Sequence, residues 1–464
     1  CVACCVLKMV LIITDELLIC GVKRRILIKN PLKVFLCLVL LLYLETIIRI
    51  VTTNSNDAVL DQEVPFFIDA VTPEEEKFMQ RIAADIIREG GSNDTCLSRS
   101  CLEMLADKFA RAFQISSFSQ WCVTNPPTGL EVNDYYGLLM VKVPKAASST
   151  AAAVTLRILN QTLSRNQKHN CRVEYDHRLA TTYAKSPLAQ SFLWTSIRDP
   201  TKRALSRIFF TDVSLKNRQP SDDVILDGLQ RVHHKFGSLS ACQGGFQVRY
   251  TTLRDIPEFS ACTEDNRTVV TRPERVVLSV KRIIEAYGFI ALVERMDESL
   301  VILSMLLQIP LTDVLISSSS KVAGSSYLWS YGKCVKLVKA FVSPAVKEYL
   351  ESRSWIAQNY GDMLLHMIVN KSLDMTIDRV LGRENFKRKM TEYKRLKALD
   401  LEYCASTTIL PCDKDGKSQI TASRQNCYSE DFGCGYPCVD RMIKNDQLHT
   451  KEQRSIWEPT RSWI

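Results

Sequence analysis

The chain has no glycine-rich phosphate loop. Only 17 of its 464 residues are glycine, and none of them forms a GxxxxGK[ST] sequence. Histidine is scarcer, with six residues, so few side chains are candidates for proton transfer near neutral pH. We also find no pair of carboxylates placed to hold Mg²⁺. These absences argue against an ordinary ATP-binding loop and against a metal-dependent kinase.

Positive charge is in excess, but it is confined to two segments. The formal net charge is +9. Residues 1–33 carry six basic and two acidic side chains, and Arg383–Lys397 carries seven basic and two acidic. Because these two segments account for the whole excess, the rest of the chain is close to neutral. The composition therefore does not favour nucleic acid as a partner.

The most informative segment is Val141–Thr150, VKVPKAASST. It follows an apolar, strand-like run, Leu138–Val143, crosses a Pro-Lys corner and enters a helix through a cluster of hydroxyl side chains. The first N–H groups of a helix lack intrahelical partners and the helix dipole is positive there, so this junction is suited to an anion. Lys145 adds a full charge. The motif predicts a phosphate or sulfate site, although taken alone it also fits a simple helix cap.

A second strand-to-helix junction lies about fifty residues further on, in Ser191–Phe210. An apolar run, Phe192–Ile197, ends at Arg198, and the following Asp-Pro pair is typical of a helix start. Arg198 and Ser206 are suited to hold a second phosphate, although an ordinary turn and a surface serine are the alternatives. Ligands of open α/β sheets lie beyond the carboxyl ends of the strands. The two junctions therefore predict one ligand with two separated anionic groups.

Together the two motifs resemble those of the membrane-bound, Golgi-type sulfotransferases that use 3′-phosphoadenosine 5′-phosphosulfate (PAPS). That group contains the heparan sulfate 2-O- and chondroitin sulfotransferases. Its 5′-phosphosulfate loop has the form VPK-x-A-S/C-[ST]-[ST], and its 3′-phosphate motif is RDPxxRxxS. The resemblance extends weakly through Gln247–Thr251 and Leu292–Leu303, and it covers roughly Tyr135–Leu307. The residues that match the two motifs are Val143, Pro144, Lys145, Ala147, Ser148, Ser149 and Thr150, and then Arg198, Asp199, Pro200, Arg203 and Ser206.

The resemblance implies a role for each motif. Lys145 would stabilise the leaving phosphate, and Arg198 with Ser206 would hold the 3′-phosphate. Lys321, in the polar stretch Ser317–Ser326, would lie near the 3′-phosphate, although a plain loop is the alternative. No metal is expected, because fixed cations and N–H donors meet the developing charge. The 5′-phosphosulfate would be held by Lys145, Ala146, Ala147, Ser148, Ser149 and Thr150.

The acceptor hydroxyl needs a general base. In the family this is a His or Glu on the segment after the first helix, which here is Cys171–Ala184. We choose His177, because the unperturbed pKa of histidine lies near working pH. Glu174 is the reserve, and Arg178 is a candidate contact for the acceptor. A surface histidine among charges is the alternative interpretation of His177.

The sequence predicts five parts in chain order. A basic cytoplasmic segment, 1–33, precedes an apolar membrane anchor, 34–52, which is typical of a single-pass type II protein with a lumenal catalytic domain. Glu45 and Arg49 interrupt the apolar run, so a signal peptide or a buried helix are the alternatives. Next come a stem with accessory helices, 53–134, a sulfotransferase domain, 135–400, and a disulfide-rich extension, 401–464. Within the third and fourth of these parts we predict helices at Thr72–Gly90, Cys101–Phe113 and Trp355–Lys397.

Cysteine usage indicates an oxidising compartment. Of the 17 cysteines, twelve lie beyond the predicted anchor, an even number that permits disulfides. Four N-glycosylation sequons, at Asn93, Asn160, Asn266 and Asn370, are typical of a lumenal glycoprotein. The extension favours disulfides over a zinc site, and its odd fifth cysteine predicts a bond to the core. The cysteines of the extension are Cys404, Cys412, Cys427, Cys434 and Cys438.

The fold predicted from these features is α/β, with a P-loop-like central parallel sheet flanked by helices, an N-terminal membrane anchor and a Cys-rich tail. The predicted function is transfer of the sulfuryl group of PAPS to a carbohydrate hydroxyl at the Golgi membrane. The near-neutral domain does not specially favour a highly charged glycosaminoglycan as acceptor. The alternatives are a catalytically inactive, lectin-like binding module on the same fold and a nucleotide-dependent kinase.

Overall fold

The computed structural model describes residues 72–90, 98–116, 137–165, 173–184, 191–235, 245–253, 261–262, 268–269, 273–317, 327–428 and 433–457. All of them belong to one compact unit, Phe67–Ile464. The predicted cytoplasmic segment, the predicted anchor and Lys321 lie outside the described residues. Among the helices that the structure does describe, none is both long and apolar enough to cross a membrane.

The described residues form an α/β fold around a four-stranded parallel sheet with the order β2-β1-β3-β6. Every residue of β1 is buried, as are six of the seven in β3. Because the side chains of a strand alternate between its two faces, helices must cover both faces of these central strands. The strands are β1 (Gly137–Val141), β2 (Val173–Asp176), β3 (Ser191–Ile197), β4 (Ala261–Cys262), β5 (Thr268–Val269), β6 (Phe289–Leu292), β7 (Tyr327–Ser330) and β8 (Lys333–Lys336).

The helices come in three groups: those that precede the sheet, those interleaved with its strands and those that follow the last strand. Short 3₁₀ turns cover Ala180–Tyr183, Val293–Arg295 and Leu311–Asp313, and π-helical segments cover Phe209–Ser214 and Ile377–Leu381. The helices are α1 (Pro73–Gly90), α2 (Arg99–Phe109), α3 (Ser148–Arg165), α4 (Pro200–Ile208), α5 (Asp222–Lys235), α6 (Phe246–Thr251), α7 (Pro273–Ala286), α8 (Met296–Leu307), α9 (Pro344–Glu351), α10 (Arg353–Gln358), α11 (Tyr360–Thr376), α12 (Arg383–Cys404), α13 (Ile420–Ser423) and α14 (Tyr436–Trp457).

Both junctions predicted from the sequence are confirmed, with small shifts of their boundaries. The first strand ends at Val141, two residues earlier than predicted, and α3 begins at Ser148. The second strand ends at Ile197 as predicted, and α4 begins at Pro200. The side chain of Asp199 accepts a hydrogen bond from the Lys202 N–H at 2.8 Å, so this residue caps α4.

The two helices predicted before the sheet are also confirmed, and they pack together. The rings of Phe78 on α1 and Phe109 on α2 lie 5.6 Å apart in an edge-to-face contact. Glu75 on α1 receives two hydrogen bonds from the Arg282 guanidinium on α7, at 2.7 and 2.6 Å. This pairing lowers the pKa of Glu75 to about 2. The second helix starts at Arg99 and stops at Phe109, four residues before its predicted end.

The helices predicted over Trp355–Lys397 are present as α10, α11 and α12. Helix α11 packs against β6, α2 and α7, and much of it is buried. The basic helix α12 buries Phe386, Tyr393 and Leu396 and exposes most of its basic side chains to solvent, as predicted. Asn370, one of the four sequon asparagines, lies in α11 and accepts a hydrogen bond from Arg295 at 3.0 Å.

Disulfides occupy all five cysteines of the extension. Two bonds lie within the extension, and the third joins Cys412 to Cys334 on β8, which confirms the predicted bond to the core. Since all five thiols are used, the extension has no thiolate left for the alternative zinc site. Within the part of the chain that is described, no group of three His, Cys, Asp or Glu residues is placed to hold a metal. The bonds are Cys334–Cys412, Cys404–Cys438 and Cys427–Cys434.

Candidate anion-binding site

The two predicted junctions meet at the point where the strand order reverses. Strand β1 pairs with β2 on one side and with β3 on the other, and β3 pairs with β6. The chain leaves β1 toward β2 in one direction and leaves β3 toward β6 in the other. In open α/β sheets, ligands bind in the crevice outside the carboxyl ends of the strands at such a switch point. Lys145 follows β1 here, and Arg198 follows β3.

The loop between β1 and α3 has an unusual backbone. Lys145 and Ala147 have φ values of 65° and 55°, in the left-handed region that non-glycine residues rarely adopt. Such conformations cost of order 1–3 kcal/mol each and are found at ligand-binding sites. Ala146 is fully buried, Ser148 is buried at the first position of α3, and Ser149 is exposed. The loop therefore presents its N–H groups and the start of α3 beyond the sheet edge.

Lys145 is held in a largely apolar and electropositive setting. Its ammonium nitrogen lies 3.5 Å from the centroid of the Phe210 ring, a cation–π contact. Burial, together with the nearby charges of Arg207 and Arg198, lowers the pKa of Lys145 to about 8. The site thus bears an unfavourable concentration of positive charge when no anion is bound.

Hydrogen bonds join the two junctions. The Thr195 hydroxyl donates to the Val141 carbonyl at 2.7 Å, and the Ser196 hydroxyl donates to the Ala146 carbonyl at 2.5 Å. The Arg198 guanidinium also approaches the Lys145 carbonyl through Nη1, at 3.4 Å. These contacts fix the position of the loop after β1 relative to the end of β3.

Two arginines of this region have buried N–H groups without a partner among the described residues, namely Nε of Arg198, and Nε and Nη1 of Arg203. Arg157 and Arg282, elsewhere in the fold, each have one such N–H group as well, but both are paired with a carboxylate. Arg203 lies on α4, is 1% exposed, and stacks with its guanidinium carbon 4.1 Å from the Phe246 ring centroid. Burial lowers its pKa to about 10, while the charge of Asp362 acts in the opposite direction. A buried polar group that lacks a hydrogen bond is costly, so these N–H groups are donors suited to an anionic ligand.

Helix α4 contributes further cations to the same region. Arg207, one turn after Arg203, lies with its guanidinium carbon 5.7 Å from the Phe246 ring centroid. Burial lowers its pKa as well. Ser206 is partly exposed beside it. The structure therefore brings Lys145, Arg198 and the arginines of α4 to one region.

His177 immediately follows the end of β2, the strand next to β1. Its Nδ1 lies 2.7 Å from the Lys142 carbonyl oxygen. A carbonyl oxygen only accepts, so Nδ1 carries the proton and Nε2 has the lone pair when the ring is neutral. Glu174 pairs with Leu139 in the sheet, two residues before the end of β2. About 7 Å of strand thus separates it from the carboxyl edge that His177 occupies.

Several residues of this region were missed in the sequence. Arg207 looks like an ordinary surface arginine one turn from Arg203, and Phe210 looks like a core residue. Gln247 lies in a segment noted only for its weak resemblance, yet its side chain makes two hydrogen bonds to Arg198. Asp362 carries no local motif at all. Lys321, which was predicted to lie near the 3′-phosphate, is outside the described residues.

No family model matches the chain, and comparisons with curated proteins and with solved structures give no match either. The resemblance to the Golgi sulfotransferases therefore rests on the two motifs, and the predicted roles of the site residues stay predictions.

Proposed function

We propose that this chain is a PAPS-dependent sulfotransferase with a P-loop-like α/β domain, acting on a hydroxyl of a carbohydrate acceptor. The observation that carries the proposal is the cluster of Lys145, Arg198, Arg203 and Arg207 at the switch point of the parallel sheet. Two of these residues have buried N–H groups that no described residue satisfies. An anionic ligand would supply the missing acceptors and offset the burial and the repulsion that together lower the pKa of Lys145.

The residues fit a ligand with two anionic groups. One group of donors consists of Lys145 and the loop N–H groups that lead into α3, and it suits the 5′-phosphosulfate. The other consists of Arg198 and Ser206 beside the start of α4, and it suits the 3′-phosphate. The hydrogen bond from Ser196 to Ala146 holds the two groups of donors together.

The proposed reaction moves a sulfuryl group, which PAPS supplies when it is bound. Lys145 stabilises the negative charge that develops on the departing phosphate, because its ammonium group is fixed and largely removed from water. His177 accepts the proton of the acceptor hydroxyl at Nε2, since the Lys142 carbonyl holds the proton on Nδ1. Glu174 remains the reserve, but its position two residues back from the strand end makes it the weaker candidate.

The setting of the proposed enzyme is the Golgi lumen, with a single N-terminal membrane anchor at residues 34–52. The three disulfides among the described residues are typical of an oxidising compartment and favour this location. The sequon asparagine Asn160 is exposed on α3, where its side chain also makes a hydrogen bond with Tyr428.

The test is a thermal-shift comparison on the full chain with adenosine 3′,5′-bisphosphate, the product of PAPS, and separately with ATP plus Mg²⁺. A ligand that binds only the folded state at 100 times its dissociation constant adds about 2.7 kcal/mol, which is readily measured. We expect the bisphosphate to stabilise the protein and Arg198→Ala to abolish the effect. The matched control is Arg218→Ala, which removes an exposed arginine beyond the π-helical segment.

The other outcomes of the thermal-shift comparison distinguish the alternative functions. Stabilisation by ATP plus Mg²⁺ alone would replace the proposal with a nucleotide-dependent kinase. No response to either ligand from a folded sample would overturn the enzyme and leave a binding module on this fold. If the bisphosphate still stabilises the Arg198→Ala protein, the ligand binds somewhere other than the proposed site.

A further inference from the structure

The backbone at the carboxyl end of β3 is held by side chains from other elements. The Arg198 N–H donates to Oε1 of Gln247 at 2.8 Å, and Nε2 of Gln247 donates to the Arg198 carbonyl at 2.7 Å. The amide of one glutamine thus satisfies both backbone groups of Arg198. The next N–H, of Asp199, donates to the Glu294 carboxylate at 3.2 and 3.3 Å. Arg198 therefore extends from a backbone that is fixed on two sides.

Helix α11 contacts both Gln247 and Glu294 through hydrogen bonds. The Asp362 carboxylate accepts hydrogen bonds from the N–H groups of Gln247 and Val248, each at 2.9 Å from Oδ1. His366 lies 3.3 Å through Nε2 from the Glu294 carboxylate. Residues four apart on a helix share a face, so Asp362 and His366 belong to one side of α11.

The surroundings of Asp362 show that its position is closely specified. The residue is fully buried. Gly245, with a φ of 140°, precedes α6, and a Cβ atom there would collide with the Asp362 carboxylate. A buried carboxylate is costly unless hydrogen bonds and a cation compensate it, and here the backbone N–H groups and Arg203 do so. A carboxylate that is buried at this energetic cost indicates a specific role for Asp362.

We propose that Asp362 is a positioning residue of the donor site, acting through Gln247 on the backbone of Arg198. By fixing that backbone, the pair aims the Arg198 guanidinium at the anionic group of the ligand. His366 acts in the same way through Glu294 on the neighbouring peptide. The identity of the ligand rests on the proposed function, but the mechanical coupling from α11 to Arg198 does not.

The first test measures the coupling without any ligand. Gln247→Met keeps the volume of the side chain and removes both hydrogen bonds to Arg198. We expect hydrogen exchange in the peptide that contains Arg198 and Asp199 to accelerate at least roughly tenfold in the full chain. The matched control is Gln358→Met, because Gln358 is also buried but makes its hydrogen bonds to Ser354 and Tyr349 instead. Unchanged exchange in Gln247→Met, or equal acceleration in the control, would overturn the inference.

The second test measures affinity for adenosine 3′,5′-bisphosphate by calorimetry. A hydrogen bond to a charged group contributes roughly 10- to 10²-fold to affinity, so we expect Gln247→Met, which misaligns Arg198, to weaken binding by up to that factor. The loss should be smaller in an Arg198→Lys background, because Gln247 acts through the guanidinium that this background lacks, whereas a merely structural role predicts additive losses. If Gln247→Met does not fold, Asp362→Asn replaces it in both tests with the same expected direction. A wild-type protein that does not bind the bisphosphate would overturn the proposed function, while the exchange data would still decide the coupling.

Discussion

Lys145→Met should make the ligand-free protein more stable, although it removes a residue of the proposed site. Lys145 is largely buried, and its ammonium group lies near the charges of Arg198 and Arg207. These surroundings lower its pKa from the ordinary value of 10.5 to about 8. The folded state therefore bears a cost for keeping this side chain charged at neutral pH, and a methionine of similar size does not carry that cost.

The size of the effect follows from the pKa. A change from 10.5 to about 8 means that the charged form is disfavoured by about 3 kcal/mol in the folded protein. The substitution also loses the cation–π contact with Phe210, worth about 1 kcal/mol. The net gain is then about 2 kcal/mol in the free energy of unfolding. For a unit of the size of Phe67–Ile464, this raises Tm by roughly 2–3 °C.

The pH dependence separates this charge effect from a packing effect. Below pH 8 the lysine is charged in both states, so the folded wild type bears the full cost. Between about pH 8 and pH 10.5 the folded state releases its proton before the unfolded state does, and the wild type gains stability as pH rises. The Tm difference between Lys145→Met and the wild type should therefore be largest below pH 8 and shrink toward zero near pH 10.5.

The assay is thermal unfolding of the full chain across this pH range, with and without adenosine 3′,5′-bisphosphate. Lys202→Met, which removes an exposed lysine of α4, is the matched control and should change stability by no more than about 0.5 kcal/mol. The ligand should stabilise the wild type and the control but not Lys145→Met. A Lys145→Met protein that is less stable than the wild type at pH 7 would refute the electrostatic reasoning.

Two further predictions concern the base and the disulfides. His177→Ala should lower kcat for sulfuryl transfer by 10²- to 10⁴-fold and leave bisphosphate affinity unchanged, as measured by initial rates and calorimetry; a larger loss in Glu174→Gln would reverse the assignment. Replacing both cysteines of a disulfide by serine should destabilise most for Cys334–Cys412, which closes 78 residues, and least for Cys427–Cys434, which closes seven. The chain-entropy model gives about 4.5 and about 2.4 kcal/mol, and equal Tm losses for the two pairs would contradict it.

The two junctions could be predicted because their signals are local. An apolar run followed by a Pro-Lys corner and hydroxyl residues specifies a strand, a turn and a helix start within a single segment. The Asp-Pro pair at Asp199 specifies the start of α4 in the same way, through a cap and a first-turn proline. Even so, the left-handed backbone of Lys145 and Ala147 was not predicted, because nothing in those residue types favours it.

The rest of the site depends on contacts between distant parts of the chain. Asp362 lies 115 residues from Gln247, and Glu294 lies 95 residues from Asp199. No periodicity or spacing links such pairs. The order of the strands is equally non-local. Strand β1 pairs with β2 on one side and with β3 on the other, and no local signal in the sequence specifies which side each strand takes. Sequence motifs therefore identified the residues of the proposed site, while the residues that hold them in place emerged only from the fold.

The ion pairing of other arginines in the chain gives the strongest reason to interpret this region as a binding site. Arg282 pairs with Glu75, and Arg395 pairs with Asp446, each through two hydrogen bonds of 2.6 to 2.9 Å. Such bidentate pairs are how this protein neutralises an arginine that serves structure. Arg282 still has a buried Nη1 without an acceptor, but its charge is neutralised by Glu75. Arg198, by contrast, forms no ion pair with a described residue, and its buried Nε lacks an acceptor. Because the fold supplies carboxylates to Arg282 and Arg395 but not to Arg198, the unneutralised charge at the switch point is best explained by an anion that arrives from solution.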